Sequence, residues 1–252
     1  MRSAQLPCLI VVACVAILII TISPGESLPA QQSGIVTRIP DSIPAHLGDT
    51  LRVPVSIFNF AGAIAGFGVE YLLDRPGLAV LDDATLFDTS GAFTSGWEHL
   101  SAFKPSATDV RITGIADVNF DHTPSPYTGL SGTIVSIVLR IPCDADTLSG
   151  TSVFLAPNGA QDFSDPQGTL MSPVSAYGGR VYVSSPARGD FNYSGTHDVA
   201  DVVSEINCAF RGNCPNCASL IADLDCDGDS DIIDVVLLIG VAFRGETLTT
   251  CP

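Results

Sequence analysis

Apolar and polar residues alternate with a period of two along much of the chain between Gly34 and Val183. In the run from Leu51 to Ile57, Leu51, Val53, Val55 and Ile57 alternate with Arg52, Pro54 and Ser56; Phe67, Val69 and Tyr71 alternate with Gly68 and Glu70. A strand turns successive side chains to opposite faces, so this pattern predicts half-buried β-strands. Val110–Ile115, Gly132–Ile141, Thr151–Leu155 and Gly179–Val183 are further strand candidates. Turn signals at Gly48-Asp49, Asn158-Gly159, Pro166 to Gly168 and Gly178-Gly179 separate them. No stretch of this region has a long helical period. Residues 34–183 are therefore expected to form one all-β domain, a sandwich or barrel.

Two segments depart from that pattern. Leu9 to Ile22 is an apolar run of 14 residues behind Arg2, interrupted only by Thr21, and Ser23-Pro24-Gly25 ends it. That length suits the apolar core of a secretory signal and is short for a bilayer span, so residues 1–30 are expected to be a signal peptide cleaved after Ala30 or near Gly25. Val11 to Cys14 imitates a lipoprotein cleavage box but lies inside the apolar run, so neither a lipid nor a stable membrane anchor is expected. The second departure is the tail, 189–251, reached through a short linker at 184–188. Here Val203, Ile206 and Phe210 share one helical face. The set recurs 33 residues later as Val236, Ile239 and Phe243, and each run ends in Arg-Gly, at Arg211-Gly212 and Arg244-Gly245. A basic last turn followed by glycine is a helix stop. The two apolar sets are expected to pack against each other.

Each helix follows an oxygen-rich loop. In the second, Asp223, Asp225 and Asp227 fall at positions 1, 3 and 5, with Gly228 at the turn, Asp229 at 7, Asp231 at 9 and Asp234 at 12. In the first, Asp190, Asn192, Ser194, Thr196, Asp198 and Asp201 hold the same places, with Gly195 at the turn. Ca²⁺ takes six to eight hard oxygen ligands, and a 12-residue loop supplies them from these positions, with a carbonyl at position 7. Two calcium ions are expected. Asp and Gly also favour ordinary turns, but two copies in register, each before an apolar helix, form one unit made twice.

The Asp at position 12, where an EF-hand has Glu, and the absence of a helix before each loop give half EF-hands. Together these features resemble the type I dockerin over 189–251. The resemblance implies calcium-dependent docking onto a cohesin-type domain, external or of the chain's own kind. It assigns recognition to Val199, Ala200, Ile232 and Ile233, with Leu237 and Leu238 of the second helix as further partner-binding candidates; the alternative for the two leucines is that they cover the module's core. The order of strands in 34–183 resembles a cohesin-like domain, seen in Gly48 to Ile57, Ile64 to Phe67, Leu78 to Leu81, Ser131 to Ile141 and Gly150 to Ser152. That implies a jelly-roll-like β-sandwich, an architecture shared with carbohydrate-binding modules. The expected fold class is thus mainly β, with a small α module of two calcium loop–helix repeats.

Net charge is −16, from 27 acids and 11 bases, which argues against nucleic acid and anionic membranes as partners. Beyond the signal segment six cysteines remain: Cys143, Cys208, Cys214, Cys217, Cys226 and Cys251. Secretion permits disulfides, and the five in the tail are candidates to staple a small core. Repeat symmetry favours Cys217 with Cys251, and Cys143 is expected to be a free buried thiol. No Gly-x-Ser-x-Gly, His-Glu-x-x-His or phosphate-binding loop occurs, and the four histidines are scattered. The expected role is a secreted, extracellular, non-catalytic interaction protein. Its alternative is a carbohydrate-binding protein in polysaccharide breakdown, with Trp97, Phe93, Phe103 and Tyr127 as sugar-stacking candidates against the reading that Phe93, Phe103 and Trp97 are core. A general attachment stalk without a cohesin partner is the third reading. Arg188-Gly189-Asp190 spells an integrin-type tripeptide by coincidence, since Asp190 serves the loop.

Overall fold

The computed structural model describes residues 34–119, 121, 123–145, 151–159, 161–184, 187–214 and 217–248. The expected signal peptide, Cys14 and Cys251 lie outside them. Among the described residues no helix is long and apolar enough to cross a membrane.

The first four strands are β1 (Ile35–Arg38), β2 (Ile43–His46), β3 (Thr50–Asn59) and β4 (Gly66–Leu73). Short strands β5 (Val80–Leu81), β6 (Phe87–Asp88) and β7 (His99–Phe103) precede β8 (Asp109–Ile115) and β9 (Ser131–Arg140). The last four are β10 (Ser152–Pro157), β11 (Asp162–Ser164), β12 (Val174–Tyr177) and β13 (Gly179–Ser184). They form two sheets. One runs β12-β1-β3-β9-β5 with β6 also on β9; the other runs β2-β13-β10-β4-β8-β7 with β11 also on β4. The alternating residues do what their period requires: Val53, Val55 and Ile57 from one sheet and Val69, Tyr71 and Ile112 from the other meet in a shared core. Tyr71 and Thr37, both buried, join the sheets through their hydroxyls at 3.4 Å. Pro54 is tolerated inside β3 because β1 pairs only with Ser56–Asn59, leaving that stretch of β3 without a β1 neighbour.

After the strands come α1 (Val199–Arg211), the single turn α2 (Ala218–Ile221) and α3 (Ile232–Arg244). Both long helices start and stop as their sequences dictate. Asp198 and Asp231 are N-caps, each in a capping box closed by the third helical residue, Asp201 or Asp234. Gly212 and Gly245 end them in the left-handed conformation, at φ 62° and 69°.

The face that packs is not the expected one. Val203, Ile206 and Phe210 are exposed, as are Val236 and Phe243, with Phe210 at 61% and Phe243 at 63% exposure. The core of the tail is built instead from Phe191, Val202, Cys208, Ile221, Ala222, Leu224 and Leu238. Each helix carries two apolar stripes, and the one that packs is completed by residues of the loops and of α2, which helical periodicity alone does not reveal.

The cysteine expectations are corrected as well. Cys143 is not a free thiol: it bonds to Cys217, 74 residues on, with Cα atoms 5.2 Å apart. Cys217 is therefore not paired with Cys251. Cys208 bonds to Cys214, and Cys226 is also disulfide-bonded. The 143–217 bond ties the end of the sandwich, just after β9, to the turn before α2. A second link between sandwich and tail is aromatic: the rings of His46 on β2 and Tyr193 in the first loop lie 3.8 Å apart, centroid to centroid.

Candidate functional site

The two loops 190–201 and 223–234 have the same internal wiring. At the fifth position the backbone N–H of Ser194 donates to Asp190 Oδ1 at 3.0 Å and to Asn192 Oδ1 at 2.9 Å. Its twin Asp227 donates to Asp223 Oδ1 at 3.1 Å and Asp225 Oδ1 at 3.2 Å. The turn glycines follow: Gly195 donates to Asp190 Oδ2 and Gly228 to Asp223 Oδ2. The twelfth residue closes each loop. Asp201 Oδ1 accepts from the amides of Phe191 and Asn192, and Asp234 Oδ1 from those of Leu224 and Asp225. Their Oδ2 atoms accept from Asp198 and Asp231. Asp201 and Asp234 are buried, so three amides fix each carboxylate. A carboxylate offers about four lone-pair sites, which leaves Oδ2 room for one more partner.

The donor set fits a hard cation. Asp223, Asp225 and Asp227 bring carboxylate oxygens within 4.8 Å of one another. Burial raises the Asp225 carboxyl above its ordinary range; the Asp227 amide opposes this and the charges of Asp227, Asp234 and Asp223 add to it. Like charges gathered in this way favour a bound cation. Asp229, at position 7, is an exposed residue, and Asp231 caps α3 by accepting from Ile233 N at 2.7 Å. In the first loop Asp198 caps α1 by accepting from Ala200 N at 2.7 Å, while Ser194 Oγ donates to the Thr196 carbonyl at 2.9 Å. Two expected ligands of loop one are thus bonded to each other. The tripeptide 188–190 is not displayed: Gly189 and Asp190 are buried, and Arg188 donates to the carbonyls of Asp223 and Leu224.

The partner-binding candidates divide. Val199, Ala200, Ile232 and Ile233 are exposed. Leu238 has 0% exposure and Leu237 packs against the same cluster, so the two leucines cover the core. The residues periodicity misassigned complete the exposed set. Val199, Val203, Ile206 and Phe210 line α1, and Ile232, Val236, Ile239 and Phe243 line α3 at the same four places of the repeat. Of these eight only Ile239 is partly buried.

Leu238 has Glu205 as its counterpart in the first copy. Glu205 is fully buried; its Oε1 accepts from Ser230 Oγ at 2.8 Å and its Oε2 has no hydrogen-bond partner. Burial pushes this carboxyl up to about 7; the Ser230 hydrogen bond opposes the shift and the Asp234 charge adds to it. The folded state therefore holds a proton that the unfolded chain releases near pH 4.5, so stability falls as pH rises through 4.5 to 7 and stays lowered above. Glu205→Leu is expected to stabilise the tail by roughly 2 kcal/mol at pH 8 and by little at pH 4. Urea unfolding at the two pH values measures this; equal gains at both would refute it.

Burial, with the charges of Asp49 and Asp190 adding, raises the Tyr193 hydroxyl. Of the proposed sugar-stacking residues, Trp97, Phe93 and Tyr127 pack on the sandwich core, whereas Phe103, whose alternative reading was a core residue, is exposed. Trp97 is 7% exposed among Phe67 and Phe93, and Phe93 is stacked on Tyr127 at 3.7 Å. Among the four only Phe103 is more than half exposed. A cluster that sequence reading missed is Glu98, Asp117 and Asp121, whose carboxylate oxygens also lie within 4.8 Å of one another. Glu98 Oε2 accepts from the amides of Val118 and Asn119. The signal was in the sequence: Asp117, Asn119 and Asp121 have the spacing of loop positions 1, 3 and 5.

No family model matches the chain, and no curated protein matches it significantly. Solved structures similar to it are cohesins. The chain is similar to the cohesin CaCohA2 from Clostridium acetobutylicum at 16% identity, over 60% of this chain and 92% of that one, with a TM-score of 0.45. A non-cellulosomal cohesin from Archaeoglobus fulgidus gives 17%, 61%, 93% and 0.44. A chain of a type I cohesin–dockerin complex from Clostridium thermocellum gives 12%, 64%, 99% and 0.44. Likeness at this level concerns the course of the chain and assigns no residue a role.

Proposed function

We propose that this chain is a secreted, non-catalytic, calcium-binding interaction protein. Its tail is a dockerin-like docking module and its sandwich a cohesin-like one. Asp190, Asn192, Ser194, the Thr196 carbonyl, Asp198 and Asp201 would hold one Ca²⁺. Asp223, Asp225, Asp227, the Asp229 carbonyl, Asp231 and Asp234 would hold the other. Bound calcium supplies the positive charge that offsets the crowded carboxylates. The chain's own part is to aim them: the twelfth-position carboxylates tie each loop to the first turn of its helix, so loop order and helix orientation are one property.

The observation that carries the reading is the pair of exposed apolar stripes at matching places on α1 and α3. A soluble protein rarely leaves such a patch open unless it meets a partner. The partner of this face is a cohesin-type sandwich, and the sandwich of the chain, read as cohesin-like, would in turn take a two-helix dockerin-type module. The disulfides support an oxidising, extracellular setting. The carbohydrate reading loses support from the burial of Trp97.

The test uses the intact chain. Sedimentation of the chain alone and calorimetry against cohesin-type domains are run in calcium and in EDTA. Binding is expected in calcium alone. Val203→Asp with Val236→Asp is expected to weaken it by about a hundredfold or more, since both stripes then carry charge at their centres. Undiminished binding by the double variant would sink the docking face.

A further inference from the structure

In both loops the fourth residue is a non-glycine in the left-handed conformation, Tyr193 at φ 56° and Cys226 at φ 69°. Side chains other than glycine, Asn and Asp seldom adopt it, because Cβ crowds the following carbonyl. Each of these residues is anchored from outside its loop, and the chemistry differs. Cys226 is disulfide-bonded, and its Sγ accepts from Arg188 Nη1 at 2.8 Å. Tyr193 has its ring against His46 of the sandwich, centroids 3.8 Å apart and planes inclined at 32°. His46 is itself set by Asp49, whose Oδ2 accepts from the His46 amide at 2.7 Å and lies 3.4 Å from Nδ1.

Tyr193 stands between Asn192 and Ser194, the third and fifth positions of its loop. Whatever fixes its ring fixes the backbone that aims both of those groups. We infer that His46 is a positioning residue for loop one: the sandwich holds this loop in its cation-binding shape through the His46–Tyr193 stack. Loop two is held instead by the Cys226 disulfide and by Arg188 of the linker. Calcium affinity at loop one therefore depends on the sandwich and affinity at loop two does not. By linkage, calcium in loop one tightens the seat of the tail on the sandwich by the same factor. The inference rests on the calcium reading of the two loops.

The test titrates the full oxidised chain with calcium by calorimetry. Loop one is followed separately by terbium(III) luminescence, which Tyr193 sensitises, since loop two contains no aromatic residue. His46→Ala is expected to weaken loop one about fivefold, the scale of an aromatic pair, and to leave loop two unchanged. His46→Phe, which keeps a ring and the backbone amide to Asp49 but loses the Nδ1 contact, is expected to restore most of the affinity. Unchanged loop-one affinity in His46→Ala overturns the inference while calcium binding stands. Equal weakening of both loops overturns it as well, and so does a His46→Phe variant no better than His46→Ala. No binding by the unmodified chain overturns the calcium reading and the inference together.

Discussion

Asp234→Ala is expected to unfold the tail while the sandwich keeps its fold. The Asp234 side chain is buried and accepts three backbone amides, from Leu224 at 2.7 Å, Asp225 at 3.2 Å and Asp231 at 2.8 Å. Alanine leaves all three donors without acceptors, at about 1–3 kcal/mol for each that stays dry. The Asp231 amide among them is the N-cap donor of the α3 capping box, so the same loss loosens the start of the helix. The tail has a small core, seven buried residues centred on Leu224 and Leu238, and a loss of roughly 4–6 kcal/mol exceeds what a unit of this size holds in reserve. The expected readout is loss of amide-exchange protection across α1 and α3 with β3, β4 and β9 still protected. Asp234→Asn, which keeps one acceptor oxygen, should fall between. Full protection of α3 in Asp234→Ala would refute the account.

The second large effect belongs to Cys143–Cys217. The bond closes a segment of 74 residues, and chain-entropy reasoning gives a loop of that length about 4.5 kcal/mol of stabilisation. Cys208–Cys214 closes six residues and by the same reasoning gives only about 2 kcal/mol. Cys143→Ser with Cys217→Ser is therefore expected to cost about twice as much as Cys208→Ser with Cys214→Ser in denaturant unfolding. It should also split one transition into two, because the tail then melts independently of the sandwich. Equal losses for the two double variants would show that loop length is not what matters here.

The long strands were legible because their alternation survives over many residues. β3, β4, β8, β9, β10 and β13 follow from positions such as Val53, Val55 and Ile57, which are apolar every second place and buried. Short strands were not. β5 and β6 are two residues each, and in β7 Leu100 and Ala102 are only half covered, so no period accumulates. The C-terminal ends of the helices were legible from chemistry, since Gly212 and Gly245 follow a basic last turn; Asp198 and Asp231 were legible as loop oxygens, and their N-cap role appears only in the fold. The inward face of the helices was not legible, because the more regular apolar stripe is the one left in water. Choosing between two stripes requires knowing where Phe191 and Leu224 fold in, which is tertiary information. The disulfides failed for the same reason: repeat symmetry relates residues within the tail, whereas Cys143 meets Cys217 across modules. Glu205 could be seen only as a break in the repeat, a carboxylate where the second copy has leucine.

The cross-module disulfide also determines how the molecule carries tension. A pull applied between β3 and α3 crosses from Cys143 to Cys217 through the S–S bond and bypasses the 74-residue segment between them. About 250 Å of contour, at roughly 3.4 Å per residue, is thereby kept from extending. That shielded segment includes β13, the first oxygen-rich loop and α1, whereas the second loop and α3 lie outside it on the strained side. The two halves of the tail, so alike in sequence, are therefore mechanically unequal: the 190–201 half stays slack until the Cys143–Cys217 tie is reduced, and the 223–234 half is not shielded by that tie.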